Sequence, residues 1–400
     1  MKKFFLIMTA FLCLGLKGFC EEKQFVIVLS MDGFRWDYNR LSGTPNLDKI
    51  AERGVKSEGL QSVFPTKTFP SHYSMATGLY PDNHGLVANR FFNQTLQKEY
   101  TMGNRKMVEN PDFYGGEPIW NTAQKQGLIT ASYFWVGTEA PIGGLQPNIW
   151  KRFDKSITYS QRIDSVISWL ERPENERPQL IMFYFEDPDG TTHHDDPING
   201  NETHRIVKYC DSLVGVLDRR LQALPFAQNI HLIVVSDHGM SLVDSSRTVY
   251  TQDYLDPLWI RYTNRSSPMC LMDIYPDKLD SALMMLQNVL NISAWKSSDV
   301  PRRLNYGTNP NIGNLVILAD SAWSIAEKPR IGRHAKGDHG FDNQNRDMYG
   351  IFYAYGPKFQ INKVVPEFLN IQLYNIIAYL LNLKPAQTDA KLEDVNFLFK

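Results

Sequence analysis

Asp-His-Gly occurs twice in the chain, at Asp237-His238-Gly239 and at Asp338-His339-Gly340. A hard anionic ligand, an imidazole and a glycine for a tight turn suit a metal site. Asp32 stands before another glycine, and Asp189 is followed four residues later by His193. Asp32, Asp189 with His193, Asp237 with His238, and His339 together offer six ligands. A catalytic zinc takes about three protein ligands, so this supply matches two ions. Thr68, in Phe64-Pro65-Thr66-Lys67-Thr68-Phe69-Pro70, adds a hydroxyl that a metal or base can turn into a nucleophile, or a seventh ligand. At a helix start it would also lie where backbone N–H groups favour phosphate oxygens. Asn89 offers an amide to a non-bridging phosphate oxygen. Singly, each of these residues has a commonplace role: a turn for the Asp-Gly pairs and Asn89, a helix cap for Thr68.

What favours the joint reading is the placement of these residues on the elements that must carry them. Phe25 to Ser30 (FVIVLS), Leu180 to Phe185 (LIMFYF) and His231 to Ser236 (HLIVVS) are short, continuous apolar runs, read as buried strands. Asp32, Asp189 and Asp237 follow at their carboxyl ends, where open α/β sheets bind ligands. Ile129 to Trp135 reads as a further strand. Helical patterns fall at Leu47 to Arg53, Thr68 to Thr77, around Pro118 to Gln126, His204 to Leu224 and Leu369 to Leu381. The alternation predicts an α/β fold with a mostly parallel central sheet flanked by helices on both faces. Residues 243–333, richer in Asn, Ser and Pro, break the alternation and suggest an inserted cap or lobe in one catalytic domain over 21–400. The alternation returns at Tyr349 to Tyr355.

Of the 400 residues, 43% are hydrophobic, and the net charge is −1. Such a chain can bury a large core, and its balanced charge indicates no nucleic-acid partner and no anionic surface. Lys2 and Lys3, the apolar stretch Phe4 to Leu16, and Gly18 and Cys20 read as a signal peptide over residues 1–20. The apolar stretch falls short of the ~20 residues a membrane span needs, so an exported protein with no span after signal removal is expected. The short Lys-Lys signal and few cysteines lean bacterial and periplasmic. Cys210 and Cys270 then remain, with no indication from sequence that they meet. Asn93, Asn201, Asn264 and Asn291 begin N-x-Ser/Thr sequons.

From Phe25 to Ala386 the chain resembles the nucleotide pyrophosphatase/phosphodiesterase family of the alkaline phosphatase superfamily. The motifs that carry the resemblance are LSMDGFRWDY, FPTKTFPSHYSMATGLYPDNHGLVAN, GGEPIW, YFWVGTEA, FYFEDPDGTTHH, VVSDHGM, GDHGFDN and YGPKF. It implies an alkaline-phosphatase-like fold and two Zn²⁺ ions. Thr68 corresponds to the nucleophile, Asp32, Asp237 and His238 to ligands of the zinc beside it, and Asp189, His193 and His339 to ligands of the second zinc. Asp338 is then a turn or supporting residue. Asn89 and the Phe69 N–H would bind phosphate oxygens, and Phe69, Tyr184 and Met102 would hold the nucleoside base. Ser71, Val136 and Thr191-Thr192 depart from the usual pattern, and none is a ligand.

The activity implied is zinc-dependent hydrolysis of a small-molecule nucleotide or other phosphodiester to a nucleoside 5'-monophosphate, through a covalent phospho-threonine. An alternative is a non-nucleotide diester such as glycerophosphocholine or a phospholipid headgroup. A phosphomonoesterase would want extra positive charge, for which Arg35, Lys67 and Arg90 stand near the motifs. A binding protein with a structural metal would not need Thr68.

Overall fold

The computed structural model describes residues 22–328 and 335–400; the signal peptide expected over 1–20 lies outside them. Eight strands form the central sheet, in the spatial order Lys363–Val365, Val55–Ser57, Phe352–Tyr355, Ile230–Val235, Phe25–Met31, Leu180–Phe185, Thr130–Tyr133, Ile149–Lys151. The five strands from Ile230–Val235 to Ile149–Lys151 run parallel. Phe352–Tyr355 is antiparallel to both of its neighbours. The sheet is therefore mostly parallel, as the alternation predicts.

The long strands are apolar throughout because both faces are covered. On Phe25–Met31, Val26 and Val28 join one core while Phe25, Ile27, Leu29 and Met31 join the other. The first core takes Tyr73, Met75 and Ala76 from the helix Thr68–Thr77 and Leu373 to Leu380 from the helix Gln372–Leu380. The second takes Leu47 and Ile50 from Pro45–Arg53 and Ile206 to Leu221 from Asn201–Gln222. The helix bearing Thr68 is thus pinned to one face of the sheet.

Within the segment where the alternation breaks lies a four-stranded antiparallel sheet, ordered Ile260–Ser266, Met269–Ile274, Leu315–Ala319, Ile292–Lys296. It shares a third core with the helix Leu279–Leu286. Cys210 lies in the second core and Cys270 in the third, both buried and free. Asn93 and Asn264 are buried and hydrogen-bonded to backbone, so their sequons have no room for a sugar, whereas Asn201 is exposed. Among the described residues no helix is long and apolar enough to cross a membrane.

Candidate active site

Asp32 and Asp237 emerge just beyond adjacent parallel strands, and Asp189 lies past the end of the third. The backbone fastens them together: Asp189 N–H donates to the Asp32 carbonyl at 3.0 Å, and Gly33 N–H to Asp237 Oδ1 at 3.1 Å. Gly33 has φ of +65°, and a side chain there would strike Asp189, so this turn needs glycine. Gly239 is likewise forced, since a Cβ there would meet the Asp347 carbonyl at 2.1 Å.

The candidate ligands meet in two adjoining groups. His238 Nε2 lies 3.0 Å from Asp237 Oδ2, 3.4 Å from Asp32 Oδ1 and 3.3 Å from Thr68 Oγ1. Asp189 Oδ1 lies 3.4 Å from His193 Nε2 and 3.6 Å from His339 Nε2. The groups touch, because the His238 and His339 rings stack at 3.6 Å and Asp189 also lies within 4.8 Å of Asp32 and His238. Donor atoms held about 2.0–2.1 Å from a tetrahedral ion stand about 3.3 Å apart. The observed separations match that spacing.

Two further observations fit these residues to a cation. Asp32 Oδ1, Asp189 Oδ1 and Asp237 Oδ2 are buried carboxylate oxygens without a hydrogen-bond donor, a costly arrangement unless something positive meets them. The three histidines each turn Nδ1 to a backbone carbonyl: His193 to Gly337 at 2.8 Å, His238 to Gly239 at 2.9 Å, His339 to Thr66 at 2.8 Å. With the proton on Nδ1, each Nε2 presents a lone pair to the centre, the usual preparation of a metal ligand.

Left to themselves these groups cannot all be charged. Burial, then the carboxylates of Asp237 and Asp189, pushes the Asp32 carboxyl well above its ordinary range. The carboxylates of Asp32 and Asp189 lie within 4.8 Å of one another, so the two like charges repel by at least about 3 kcal/mol at an effective dielectric near 20. Burial also works against ionised Asp237, but His238 and His72 outweigh it and hold that carboxyl well below its usual range. Burial opposes a charged His193, yet Asp189 beside it raises the ring to about 9. A proton there serves the same demand for positive charge that a metal ion would meet.

Thr68 is the first residue of its helix, with Lys67 extended at the cap position. Asn89 accepts the Phe69 N–H on Oδ1 at 2.9 Å. Of the two expected phosphate donors, the Phe69 N–H is thus engaged, and Asn89 Nδ2 is the one without a protein acceptor among the described residues. Met102 is 47% exposed and donates its N–H to the Asn89 carbonyl at 3.0 Å. Phe69 is partly buried and edge-on to Tyr100. Tyr184 is also partly exposed, but its hydroxyl donates to Asp32 Oδ2 at 2.5 Å. That bond, absent from the sequence reading, leaves Asp32 Oδ1 as its free oxygen. Asp338 spends Oδ1 on the His339 N–H at 2.8 Å and lies 3.4 Å from Lys67 Nζ. The second Asp-His-Gly accordingly sends only its histidine to the centre.

Sequence reasoning also missed His72. Its spacing four residues after Thr68, which puts both on one helical face, was the available signal.

A family model described as type I phosphodiesterase / nucleotide pyrophosphatase matches residues 26–342. The chain is 34% identical over 389 residues to a venom phosphodiesterase of Crotalus durissus collilineatus, covering 95% of this chain and 47% of that protein. It is 32% identical over 385 residues to ectonucleotide pyrophosphatase/phosphodiesterase family member 3 of Bos taurus, covering 94% of this chain and 44% of that one. It thus spans about half the length of the curated relatives it matches. Murine ectonucleotide pyrophosphatase/phosphodiesterase 5 has a similar solved structure, with a TM-score of 0.89 at 30% identity, covering 94% of this chain and all of that one. An inactive threonine-to-alanine variant of that murine protein has been solved in complex with AMP.

Proposed function

The chain belongs to the type I phosphodiesterase / nucleotide pyrophosphatase family, and from that premise we propose that it is an exported two-zinc phosphodiesterase releasing nucleoside 5'-monophosphates. The observation that carries this reading is the convergence beside Thr68 of three donor-less carboxylate oxygens and three histidine Nε2 atoms. Asp32, Asp237 and His238 would hold one zinc and Asp189, His193 and His339 the other. Zinc bound there supplies Lewis acidity, lowering the pKa of a hydroxyl and offsetting charge on phosphate oxygens.

Thr68 Oγ attacks phosphorus in line, its bond to phosphorus forming as the bond to the departing oxygen breaks, and its proton leaves with the departing group or to solvent. The product is a phospho-threonine carrying the nucleoside. Water then attacks the same phosphorus, the Thr68–phosphorus bond breaks, and the hydroxyl regains its proton. Asn89 Nδ2 donates to a non-bridging oxygen throughout. The murine relative whose threonine-to-alanine variant is inactive and holds AMP supports both the nucleophile and the nucleotide.

Diester preference has its own support. A phosphomonoester brings an additional negative charge, yet the three nearby cations are committed elsewhere. Arg35 pairs with Asp37 at 2.8 Å, Lys67 donates to the Ser267 carbonyl at 2.6 Å, and Arg90 pairs with Glu99 at 2.8 Å. A rate profile over ATP, a dinucleotide, glycerophosphocholine and a phosphomonoester, with zinc present, tests the assignment. ATP and the dinucleotide should turn over fastest; preference for either of the other two removes it. Thr68→Ala should lower turnover at least ~1,000-fold at undiminished zinc content, and an active variant would remove the nucleophile.

A further inference from the structure

His72 is fully buried and takes no part in the chemistry above. Its Nδ1 lies 2.9 Å from the Thr68 carbonyl oxygen and 3.3 Å from Asp237 Oδ2. A carbonyl and an ionised carboxylate only accept, so Nδ1 carries the proton. Nε2 is hydrogen-bonded to Ser30 Oγ at 2.8 Å.

The ring is held on its other sides too. Trp135 and Tyr184 meet it edge-on, each with centroids 5.2 Å away. Trp135 Nε1 donates to the His72 carbonyl at 3.1 Å. Phe134, just before Trp135, has φ of +74°, a conformation that a bulky side chain adopts only under constraint. One imidazole thus touches the nucleophile's own backbone, one carboxylate of the centre, and the tyrosine that fixes another.

We propose that His72 is a positioning residue: its Nδ1–H, donated to the Thr68 carbonyl while facing Asp237 Oδ2 at 3.3 Å, sets the nucleophile's place relative to the metal-binding carboxylates. This rests on the reading of Thr68 and the zinc centre given above. The ring itself touches no substrate; it acts through Thr68 and Asp237. Without that donor the helix would still pack, but the start of the helix and the Asp237 carboxylate would be free to shift against one another. Small displacements of that kind cost rate rather than substrate binding.

Two substitutions separate the two edges of the ring. Asparagine places an amide nitrogen near the position of Nδ1, and glutamine near that of Nε2. His72→Asn therefore keeps the donor toward Thr68 and Asp237, while His72→Gln gives it up and keeps a partner for Ser30. With the p-nitrophenyl ester of a nucleoside monophosphate, kcat of His72→Gln should fall about 100-fold below wild type and at least ~10-fold below His72→Asn, at a KM within ~3-fold. Calorimetric titration of metal-stripped protein should show the tighter of the two zinc Kd values, that of the site containing Asp237, raised about 10-fold in His72→Gln over His72→Asn.

Equal losses in the two variants would reduce His72 to packing and overturn the proposal. Wild type taking up no zinc overturns the metal reading together with this one. Wild type and both variants alike in zinc uptake and kcat overturn this one alone. The wild-type protein provides a check that needs no variant. With ¹⁵N-labelled histidine, the His72 ring should show its proton on Nδ1, with a resonance that shifts as zinc is added. A proton on Nε2, or a resonance indifferent to zinc, overturns the assignment.

Discussion

Around Asp32, Asp237 and His238 the side chains are at most 4% exposed, whereas in the other group His339 is 5% exposed but His193 and Asp189 expose 27% and 16%. In the closed half both carboxylates are held by donors. Tyr184 holds Asp32, Gly33 N–H and His72 hold Asp237, and Ser236 Oγ donates to the His238 carbonyl at 2.6 Å. In the open half, His193 hangs on Gly337 and a short helix, Asp189–Thr192. The difference follows the proposed chemistry. Attack by Thr68 needs alignment, which enclosure and redundant hydrogen bonds provide. Departure of a leaving group and entry of water need access, which the exposed ligands provide.

The largest expected effect comes from breaking each half separately. Asp237→Asn removes a buried charge that His238 and His72 both face. Turnover should fall by at least ~1,000-fold, with one zinc lost per chain. His193→Asn should also lose one zinc but cost about 100-fold, and millimolar zinc should restore part of it. Native mass spectrometry counts the metal and steady-state kinetics measures the loss. Equal losses from the two variants would show that enclosure does not distinguish the halves.

A smaller effect needs no mutation. Zinc leaving to a chromogenic chelator should go in two phases, with the second at least ~10-fold slower, because the closed half must loosen before a chelator can reach it. The His193→Asn protein should show only the slow phase. A single phase in wild type would place both ions in equivalent surroundings.

Why some of this was legible in the sequence and some was not is clearest from single residues. The helix Thr68–Thr77 and the strand Leu180–Phe185 fall where the pattern put them, because sheet strands buried on both faces must be continuously apolar. The reversed direction of Phe352–Tyr355 was not legible, since a strand covered on both faces reads the same either way. The meeting of Asp32, Asp189 and Asp237 followed from their places just beyond strand ends. Their partners did not. Tyr184 meets Asp32 across 152 positions, and Lys67 meets the Ser267 carbonyl across 200. Such pairings depend on where packed side chains point, which local pattern does not encode. Arg35, Lys67 and Arg90 thus looked available in the sequence and are spoken for in the fold.

The smallest expected effect concerns the rear of the closed half, where His84 supports the helix that carries Thr68. His84 is fully buried, accepts the Leu86 N–H on Nδ1 at 3.2 Å, and lies 2.8 Å from Ser74 Oγ through Nε2. Burial pushes this ring down to about 3, against about 6.5 in the unfolded chain. The unfolded state therefore takes up the proton first as pH falls. Stability owed to the neutral ring is complete above about pH 6.5 and is lost progressively toward about pH 3. One proton corresponds to about 1.4 kcal/mol per pH unit, or about 2 kcal/mol by pH 5. His84→Asn keeps an acceptor for Leu86 and cannot titrate. Urea unfolding between pH 6.5 and 4.5 should show the variant's pH slope shallower by about one proton, with kcat at pH 7 within about twofold of wild type. His193 of the open half acts in the opposite sense: raised to about 9 beside Asp189, it contributes stability that is present below about pH 6.5 and lost as pH rises toward about 9. Equal slopes would place the acid sensitivity elsewhere, and the closed half could no longer be described as held from behind by an uncharged ring.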